Sequence, residues 1–407
     1  MNDASSRILN RRFLRPDTHG SISMPVYSGA AFEFETAEAM EEAFLGKSGR
    51  HTYSRISNPT VEAFEDRIKQ MSGAQHVLAL SSGMAAISNV FMTIAYSGSN
   101  IVTSTHLFGN TFSLFLFTLE AFGVEVRFCN LLDPDDVARH IDEKTCAVFV
   151  EVITNPHLEV VDLKALSLVA HSRKVPLVAD STLIPWPYFD AQGLGVDLEI
   201  VSSTKYISGG ATSIGGLILD HQTFDWSASP RLKALAQTQA KMAFTVKLRS
   251  EISRNLGAYM SPYTAWLQNL GLETLELRYK RSASTCKRLA EFLQTLPAVR
   301  QVNYTGLPDN PFYRISLEQF GEYAGAMLTF CLDDRAACYA FVNRVQLIRR
   351  ATNLFDNKSL IIHPLSTIYG PLNDEYKKMV DVPDNMLRLS VGLEDLEDLK
   401  ADIVQAI

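Results

Sequence analysis

The sequence has few cysteines, no long apolar run and no excess of positive charge, and each absence excludes a class of protein. Its 407 residues include 5 cysteines at irregular spacing, which favours buried thiols of a reducing compartment over a disulfide framework. No run approaches the roughly 20 apolar residues that a membrane helix needs. The 38 Lys and Arg against 45 Asp and Glu give a net charge of −7, which disfavours a general nucleic-acid-binding protein. We therefore expect a cytoplasmic protein without a membrane or nucleic-acid partner.

The fingerprints of metal and nucleotide sites are also missing. No CxxC pair and no HExxH motif occurs, so the sequence predicts no metal site. Neither G-x-G-x-x-G nor G-x-x-x-x-G-K-[ST] is present, since the pair Gly193 and Gly195 has no third glycine in register. Dinucleotide-binding and P-loop folds are therefore not indicated.

Two hypotheses fit the polar N-terminal segment, an organelle transit peptide or the arm of an oligomer. Asp3 and Asp17 interrupt the basic residues, which favours the arm, because transit peptides are poor in acidic residues. The basic residues of this segment are Arg7, Arg11, Arg12 and Arg15.

From about residue 60 the pattern alternates between helical and strand-like segments. Helices are predicted over residues 61–71, 85–96, 111–122 and 163–172. Strands are predicted over residues 76–80, 100–104, 125–130, 146–153, 176–179, 198–202 and 216–220. This alternation predicts an α/β fold with a mainly parallel, doubly wound sheet covered by helices on both faces. Ligands of such sheets bind beyond the carboxyl ends of the strands.

The pattern changes after about residue 245. Helices predicted over 244–260 and 267–296 precede a strand over 326–331, a helix over 336–345 and a final segment over 394–407. We expect an N-terminal arm (1–59), a large cofactor-binding domain (60–245) and a smaller α+β C-terminal domain (246–407).

One predicted strand ends in hydroxyl groups and a lysine. A partly desolvated lysine such as Lys205 loses its proton readily and suits a Schiff base. Ser202 and Thr204 occupy alternate positions, so their hydroxyls can face one phosphate together. Taken alone, an ordinary exposed lysine in a turn is the simpler interpretation.

Two further strand ends carry groups that suit the same ligand. Gly83 and Met84 open a predicted helix, and the N–H groups at a helix start bind anions. Asp180 ends another strand, where its carboxylate can keep a pyridinium nitrogen protonated. Each has a simpler interpretation by itself, as a capped helix or a turn. Together with Lys205 they converge on one cofactor, pyridoxal 5′-phosphate.

Over almost its whole length the sequence resembles the cystathionine γ-synthase family, the Cys/Met-metabolism group of pyridoxal-phosphate enzymes of fold type I. Residues 53–60, YSRISNPT, match the Y-S-R-x-x-N-P-T element of that family. The resemblance implies that Tyr53 and Arg55 reach the cofactor phosphate of a neighbouring subunit. It also implies a homo-oligomer, expected to be a tetramer built of dimers with shared active sites.

The resemblance further implies a role for each matching residue. Lys205 would carry the cofactor and Asp180 would partner its ring nitrogen. Arg388 would clamp the substrate carboxylate, with Asn155 beside it, and Asn353 would replace a serine that orients this arginine. The remaining cofactor ligands would be backbone, hydroxyl and ring groups: Gly83, Met84, Ser202, Thr204 and Phe108.

Besides Asn353, two positions depart from the family pattern. Phe108 stands where the family usually has a tyrosine, so stacking is retained but no hydroxyl is available to protonate a leaving group. Another acid, such as Tyr53 or water, must then serve. Ser181 stands where the family has asparagine.

The reaction is expected from a second resemblance. The pattern N-L-x-D-x-K-S-L-x-x-H-P over residues 353–364 resembles O-acetylhomoserine sulfhydrylases. It implies γ-replacement, in which an activated homoserine ester and sulfide give homocysteine in sulfur amino-acid metabolism. Asn110 replaces a cysteine typical of many methionine γ-lyases. Methionine γ-lyase and cystathionine γ-synthase remain alternatives, and so does a non-catalytic scaffold, which the intact Lys205 opposes.

Overall fold

The computed structural model describes residues 4–10 and 17–407. Residues 1–3 and 11–16 of the predicted N-terminal arm therefore lie outside the described residues, and the side chain of Arg7 is not described either. Four of the charged residues on which the prediction of an arm rests are among them: Asp3, Arg11, Arg12 and Arg15.

The described strands form two sheets. The first sheet has the order β1-β7-β6-β5-β4-β2-β3 and the second the order β10-β11-β12-β9-β8. The strands are β1 (His76–Leu80), β2 (Asn100–Thr103), β3 (Glu125–Phe128), β4 (Thr145–Glu151), β5 (Leu177–Asp180), β6 (Leu198–Val201), β7 (Gly216–Asp220), β8 (Gln301–Asn303), β9 (Met327–Cys331), β10 (Arg349–Arg350), β11 (Leu360–Ile362) and β12 (Met386–Ser390).

Helices cover and connect these sheets. They are α1 (Ala4–Leu9), α2 (Ala37–Phe44), α3 (Pro59–Ser72), α4 (Gly83–Ile94), α5 (Gly109–Ser113), α6 (Pro134–His140), α7 (Leu163–Ser172), α8 (Lys233–Gln239), α9 (Ala243–Lys247), α10 (Arg254–Leu256), α11 (Pro262–Leu272), α12 (Leu275–Leu293), α13 (Tyr313–Phe320), α14 (Arg335–Arg344), α15 (Asp374–Met379) and α16 (Leu396–Ala406). Segments of π-helix continue α5 over Leu114–Leu119 and α9 over Leu248–Ser253. Among the residues described, none of the helices combines the length and apolarity needed to span a bilayer.

The first sheet is parallel except around β7. Strands β6, β5, β4, β2 and β3 pair in parallel, whereas β7 pairs antiparallel with both β1 and β6. The predicted α/β class and mainly parallel sheet are confirmed, and the antiparallel β7 is an addition that strand composition alone does not reveal. Because β1 runs in the same direction as β6, the carboxyl ends of β1, β4, β5 and β6 meet at one edge of the sheet.

Two apolar layers enclose this sheet. Along β4 every residue is buried, and Val148 packs into one layer while Phe149 packs into the other. Such two-sided burial explains the near-continuous apolar strands of the sequence. The first layer continues into the second sheet through Leu328 and Phe330 of β9, so the two sheets share a core.

Several predicted elements agree with the structure and one does not. The bounds of β1, β7 and α7 are those predicted. The single helix predicted over 267–296 is wrong, since α11 ends at Leu272 and α12 begins at Leu275. The apolar spacing continues through both helices and hides the break. The expected domain boundary at residue 245 falls inside α9, and the division into domains stays a prediction.

Candidate active site

A cleft of about 790 Å³ opens at the carboxyl edge of the first sheet. Its walls come from the start of α4, from the ends of β4, β5 and β6, and from the segment that follows β10. Most of the site residues predicted from the sequence line this cleft: Gly83, Met84, Phe108, Asn155, Asp180, Ser202, Thr204, Lys205 and Asn353.

The start of α4 forms one wall of the cleft and presents backbone N–H groups that can bind an anion. Ser82 caps the helix, since its side chain accepts a hydrogen bond of 3.0 Å from the N–H of Ala85. The N–H groups of Gly83 and Met84 are the first two of the helix and have no intrahelical partner. A Cβ atom on Gly83 would lie 2.8 Å from Cβ of Ser202, so only glycine allows this approach. Helix N–H groups and a hydroxyl therefore lie side by side, as anion sites require.

The hydroxyl-bearing segment after β6 is held by two neighbouring loops. The N–H of Ser202 donates to Oγ1 of Thr182 at 2.8 Å. Oγ1 of Thr204 accepts from the N–H of Gly215 at 3.1 Å, which fixes the position of the hydroxyl at the cleft. Both hydroxyls thus reach the cleft from an ordered backbone.

Lys205 lies in the cleft with its ammonium bound to a single side-chain acceptor. Nζ donates a hydrogen bond of 2.7 Å to Oδ1 of Asn353. Burial, together with the positive charge of Arg388, lowers the pKa of Lys205 to about 8, and Asp180 opposes this shift. The neutral amine, which a Schiff-base lysine requires, is therefore far more populated near neutral pH than in an ordinary lysine.

Two carboxylates stand on adjacent strand ends. Asp180 ends β5, and its Oδ1 accepts from the N–H of Thr182 at 3.0 Å. Burial raises the pKa of Asp180, while the hydrogen bonds of Thr182 and the charge of Lys205 oppose the shift.

Glu151, which ends β4, is a cleft residue that the sequence analysis missed. Its Oε1 accepts from the N–H of Phe108 at 2.6 Å and its Oε2 from the N–H of Asn155 at 3.1 Å. Burial, with the charge of Asp180, raises the pKa of Glu151 to about 8. An acid at the end of an otherwise apolar strand was the available signal. Glu151 ties the loop of Phe108 to the loop of Asn155.

Arg388 lies behind the cleft on β12 and is almost fully buried. Its Nη1 donates to Oδ1 of Asn155 at 3.1 Å, and its Nη2 to the carbonyl groups of Thr352 at 3.0 Å and Asn353 at 3.3 Å. Among the described residues its Nε has no hydrogen-bond partner. A buried guanidinium with an unused donor suits a bound carboxylate.

Asn353 contacts both charged groups, in a manner that the sequence did not predict. Its backbone carbonyl accepts from Arg388, while its side chain accepts from Lys205. The predicted role of its side chain toward Arg388 remains a prediction.

Tyr53 and Arg55 lie outside this chain's own Lys205 cleft. Tyr53 is 42% exposed, and Nη1 of Arg55 donates to the carbonyl of Arg254 at 2.5 Å. The guanidinium lies 5.5 Å from the centre of the Tyr53 ring. Their contribution to a neighbouring subunit stays a prediction.

Away from the cleft, three potential metal ligands approach one another. Cys129, Asp136 and His140 offer ligand atoms within 4.8 Å of each other. Burial, with the charge of Asp136, raises the pKa of Cys129 to about 12, so its sulfur stays a thiol. The Asp136 carboxylate already accepts from the N–H of Asn130 at 2.8 Å and from Arg139 at 2.9 Å. These contacts hold the Asp136 carboxylate in place beside the other two groups.

The fold and the cleft together define a class of protein, the pyridoxal-phosphate-dependent enzymes of fold type I. A family model described as "Cys/Met metabolism PLP-dependent enzyme" matches residues 7–407, where PLP is pyridoxal phosphate. The chain belongs to this family, and it is a pyridoxal-phosphate-dependent enzyme. The prediction of family and cofactor is confirmed, and the scaffold alternative is not supported.

Known relatives resemble the chain over nearly its whole length. It is 37% identical over 401 residues to O-acetyl-L-homoserine sulfhydrylase 1 of Thermus thermophilus, covering 95% of each. The solved O-acetylhomoserine sulfhydrylase of Wolinella succinogenes is 47% identical, with a TM-score of 0.77, covering 87% of this chain and 99% of that one. A solved Campylobacter jejuni protein is 30% identical, with a TM-score of 0.92, covering 100% of this chain and 99% of that one. That protein carries pyridoxyl-lysine 5′-monophosphate at its own position 205.

Proposed function

We propose that the protein catalyses γ-replacement on O-acetyl-L-homoserine: sulfide forms a C–S bond at the γ-carbon, the C–O bond breaks, and homocysteine and acetate result. The observation that carries the proposal is that Lys205 lies within reach of the charges of both Asp180 and Arg388, and that Arg388 is buried and bonded to Asn155. The relatives named O-acetylhomoserine sulfhydrylase support the choice of substrate.

The cleft residues fit the cofactor of the family. The glycine at the start of α4 lets Ser202 lie against the first N–H groups of the helix, where a phosphate can meet both. Nε of Arg388, which has no hydrogen-bond partner among the described residues, suits an incoming carboxylate. We propose that Gly83, Met84, Ser202 and Thr204 hold the phosphate and that Phe108 stacks on the ring. When bound, the cofactor supplies an electron sink for the carbanion at the substrate α-carbon.

The other groups act on the substrate and its protons. Arg388 and Asn155 bind the α-carboxylate, and Asp180 keeps the ring nitrogen protonated. The amine of Lys205 takes the α-proton and returns a proton to the α-carbon after the C–S bond has formed, because a base with a pKa near the working pH exchanges protons efficiently. Phe108 has no hydroxyl, so the proton for the leaving acetate comes from water or from the Tyr53 of a second copy of the chain, since Tyr53 lies outside this chain's own cleft.

We further propose that two copies of the chain build each active site. Tyr53 and Arg55 lie outside this chain's own cleft, and an arginine fork suits a phosphate dianion. In this arrangement they complete the phosphate site of a partner, in a dimer or in a tetramer built of dimers.

Product analysis tests the reaction. The holoenzyme is incubated with O-acetyl-L-homoserine and sulfide, and separately with methionine alone or with O-acetyl-L-homoserine and cysteine. We expect homocysteine and acetate from the first mixture, and none of either with the Lys205→Ala variant. Keto acid and ammonia from methionine, without homocysteine from the first mixture, would indicate a γ-lyase instead. Cystathionine from the cysteine mixture alone would indicate a cystathionine γ-synthase.

A further inference from the structure

A second carboxylate lies close to Asp180 but projects from the opposite face of the first sheet. Glu199 on β6 pairs in register with Ala179, the residue before Asp180. Ala179 packs into one apolar layer and Val178 into the other, so the alternation along β5 directs Asp180 and Glu199 to different faces. Glu199 has no exposed surface at all.

Glu199 is surrounded by donors. The hydroxyl of Ser181 donates to its Oε1, and the indole N–H of Trp186 donates to its Oε2 at 3.4 Å. Nε2 of His221, itself buried, lies 3.2 Å from the same oxygen. A buried carboxylate is tolerated only with such partners. The cluster therefore holds a carboxyl group in one fixed place.

This cluster is connected to Asp180 through the backbone. Ser181 follows Asp180 directly, and its hydroxyl is the group that Glu199 binds. On the other face, the N–H of Thr182 donates to Oδ1 of Asp180, and Oγ1 of Thr182 accepts from the N–H of Ser202. Hydrogen bonds on both faces of the sheet thus hold residues 180–182. The direction of the Asp180 carboxylate depends on the bond of Ser181 to Glu199 and on the bonds of Thr182.

We propose that Glu199 is a positioning residue that, through Ser181, sets the direction of the Asp180 carboxylate toward the cofactor ring. It does not contact the cofactor. A functional side chain keeps its orientation only when neighbouring groups hold it by packing and hydrogen bonds, and Glu199 is such a group for Asp180.

The charges around Asp180 agree with this arrangement. Burial is the main cause of the raised pKa of Asp180, and the charge of Glu199 raises it further. The hydrogen bonds of Thr182 and the charge of Lys205 lower it. Glu151, which pairs in register with Asp180 on the neighbouring strand β4, is a further carboxyl group beside Asp180, and burial and the charge of Asp180 raise its pKa. We therefore expect a substitution of Glu199 to affect Asp180 in two ways. It should alter the direction of the carboxylate through Ser181 and the backbone, and it should alter the pKa of Asp180 through the lost charge.

Cofactor binding tests the proposal without any substrate, so its outcome is independent of the reaction proposed above. Apoprotein is titrated with pyridoxal phosphate while protein fluorescence is followed, and the pH dependence of the visible absorbance of the bound cofactor is recorded. Ser181→Ala removes the attachment, and we expect the dissociation constant to rise about tenfold. Ser181→Thr retains the hydroxyl and should restore binding. Glu199→Gln keeps an acceptor but removes the charge, and should lower the pH midpoint of the absorbance change.

Thr223→Val is the matched control. Its hydroxyl donates at 2.6 Å to Asp197, a buried carboxylate two residues before Glu199 that does not bind the turn of Asp180. In Thr223→Val, the affinity for pyridoxal phosphate and the pH midpoint of the absorbance change should both equal those of the parent protein. The proposal would be overturned if Ser181→Ala bound pyridoxal phosphate as tightly as the parent protein does. It would also be overturned if Thr223→Val, at the same unfolding temperature, weakened cofactor binding as much as Ser181→Ala does. If Ser181→Ala does not fold, a parental midpoint in Glu199→Gln overturns it.

Discussion

The ammonium of Lys205 donates a hydrogen bond of 2.7 Å to Oδ1 of Asn353, and this bond links the end of β6 to the segment that follows β10. The backbone carbonyl of the same asparagine accepts from Arg388 at 3.3 Å. Asn353 therefore contacts two groups with different assigned roles. We assign proton transfer to the amine of Lys205 and binding of the substrate carboxylate to the guanidinium of Arg388.

The environment of Lys205 predicts the pH dependence of cofactor capture. The pKa of Lys205 is lowered to about 8, so the neutral amine becomes dominant above that pH. The rate at which apoprotein binds pyridoxal phosphate should rise about tenfold from about pH 7 to about pH 9 and then level off. Stopped-flow absorbance measures this rate.

A charge placed at Asn353 should move that profile. Asn353→Asp puts a carboxylate beside the ammonium, which favours the protonated amine, so the rise should shift to higher pH. The surface variant Asn343→Asp adds the same charge far from the cleft and should leave the profile in place. A rise centred near the ordinary lysine pKa in the parent would contradict the structure.

Arg388→Lys should weaken substrate binding more than it slows turnover. An ammonium cannot reproduce the two-point binding of a carboxylate by guanidinium, and loss of a charged hydrogen bond is worth roughly 1.5–3 kcal/mol. We expect KM for the amino-acid substrate to rise about 10- to 100-fold. The exposed Arg349→Lys serves as control. Steady-state kinetics decide, and an unchanged KM would remove Arg388 from the substrate site.

Mixed oligomers test whether sites are shared between subunits. Lys205→Ala and Arg55→Ala should each be almost inactive alone. When the two are unfolded together and refolded, half of the dimers are mixed and each restores one of two sites, so about a quarter of parental activity should return. Lys205→Ala mixed with Asp180→Ala is the control, because each change disables the site of its own subunit and no site of a mixed dimer is restored. No recovery in the first mixture would place Arg55 outside the partner's site.

The ring of Phe108 should contribute to cofactor retention by stacking. Phe108→Ala should raise the dissociation constant of pyridoxal phosphate by roughly tenfold, whereas Phe108→Tyr, which keeps the ring, should bind as the parent does. Equilibrium dialysis measures both constants. Equal affinity of the alanine variant would show that the ring does not stack.

Local pattern explains which elements were predictable. The strands β1 and β7 and the helix α7 were predicted with their observed bounds, because apolar periodicity and short apolar runs are local properties. The break between α11 and α12 was missed, since the same spacing continues across it. The short strands β10, β11 and β12 were also missed, because they depend on partners far away in the chain.

The sequence by itself determined the family, the cofactor and the identity of the residues at the strand ends, because those motifs are short and contiguous. Only the tertiary structure decided how they act on each other. Lys205 and Asn353 are 148 residues apart in the chain, and Glu151 acquires its raised pKa only from burial beside Asp180. Desolvation and long-range pairing arise when distant segments pack together, and no local pattern encodes them.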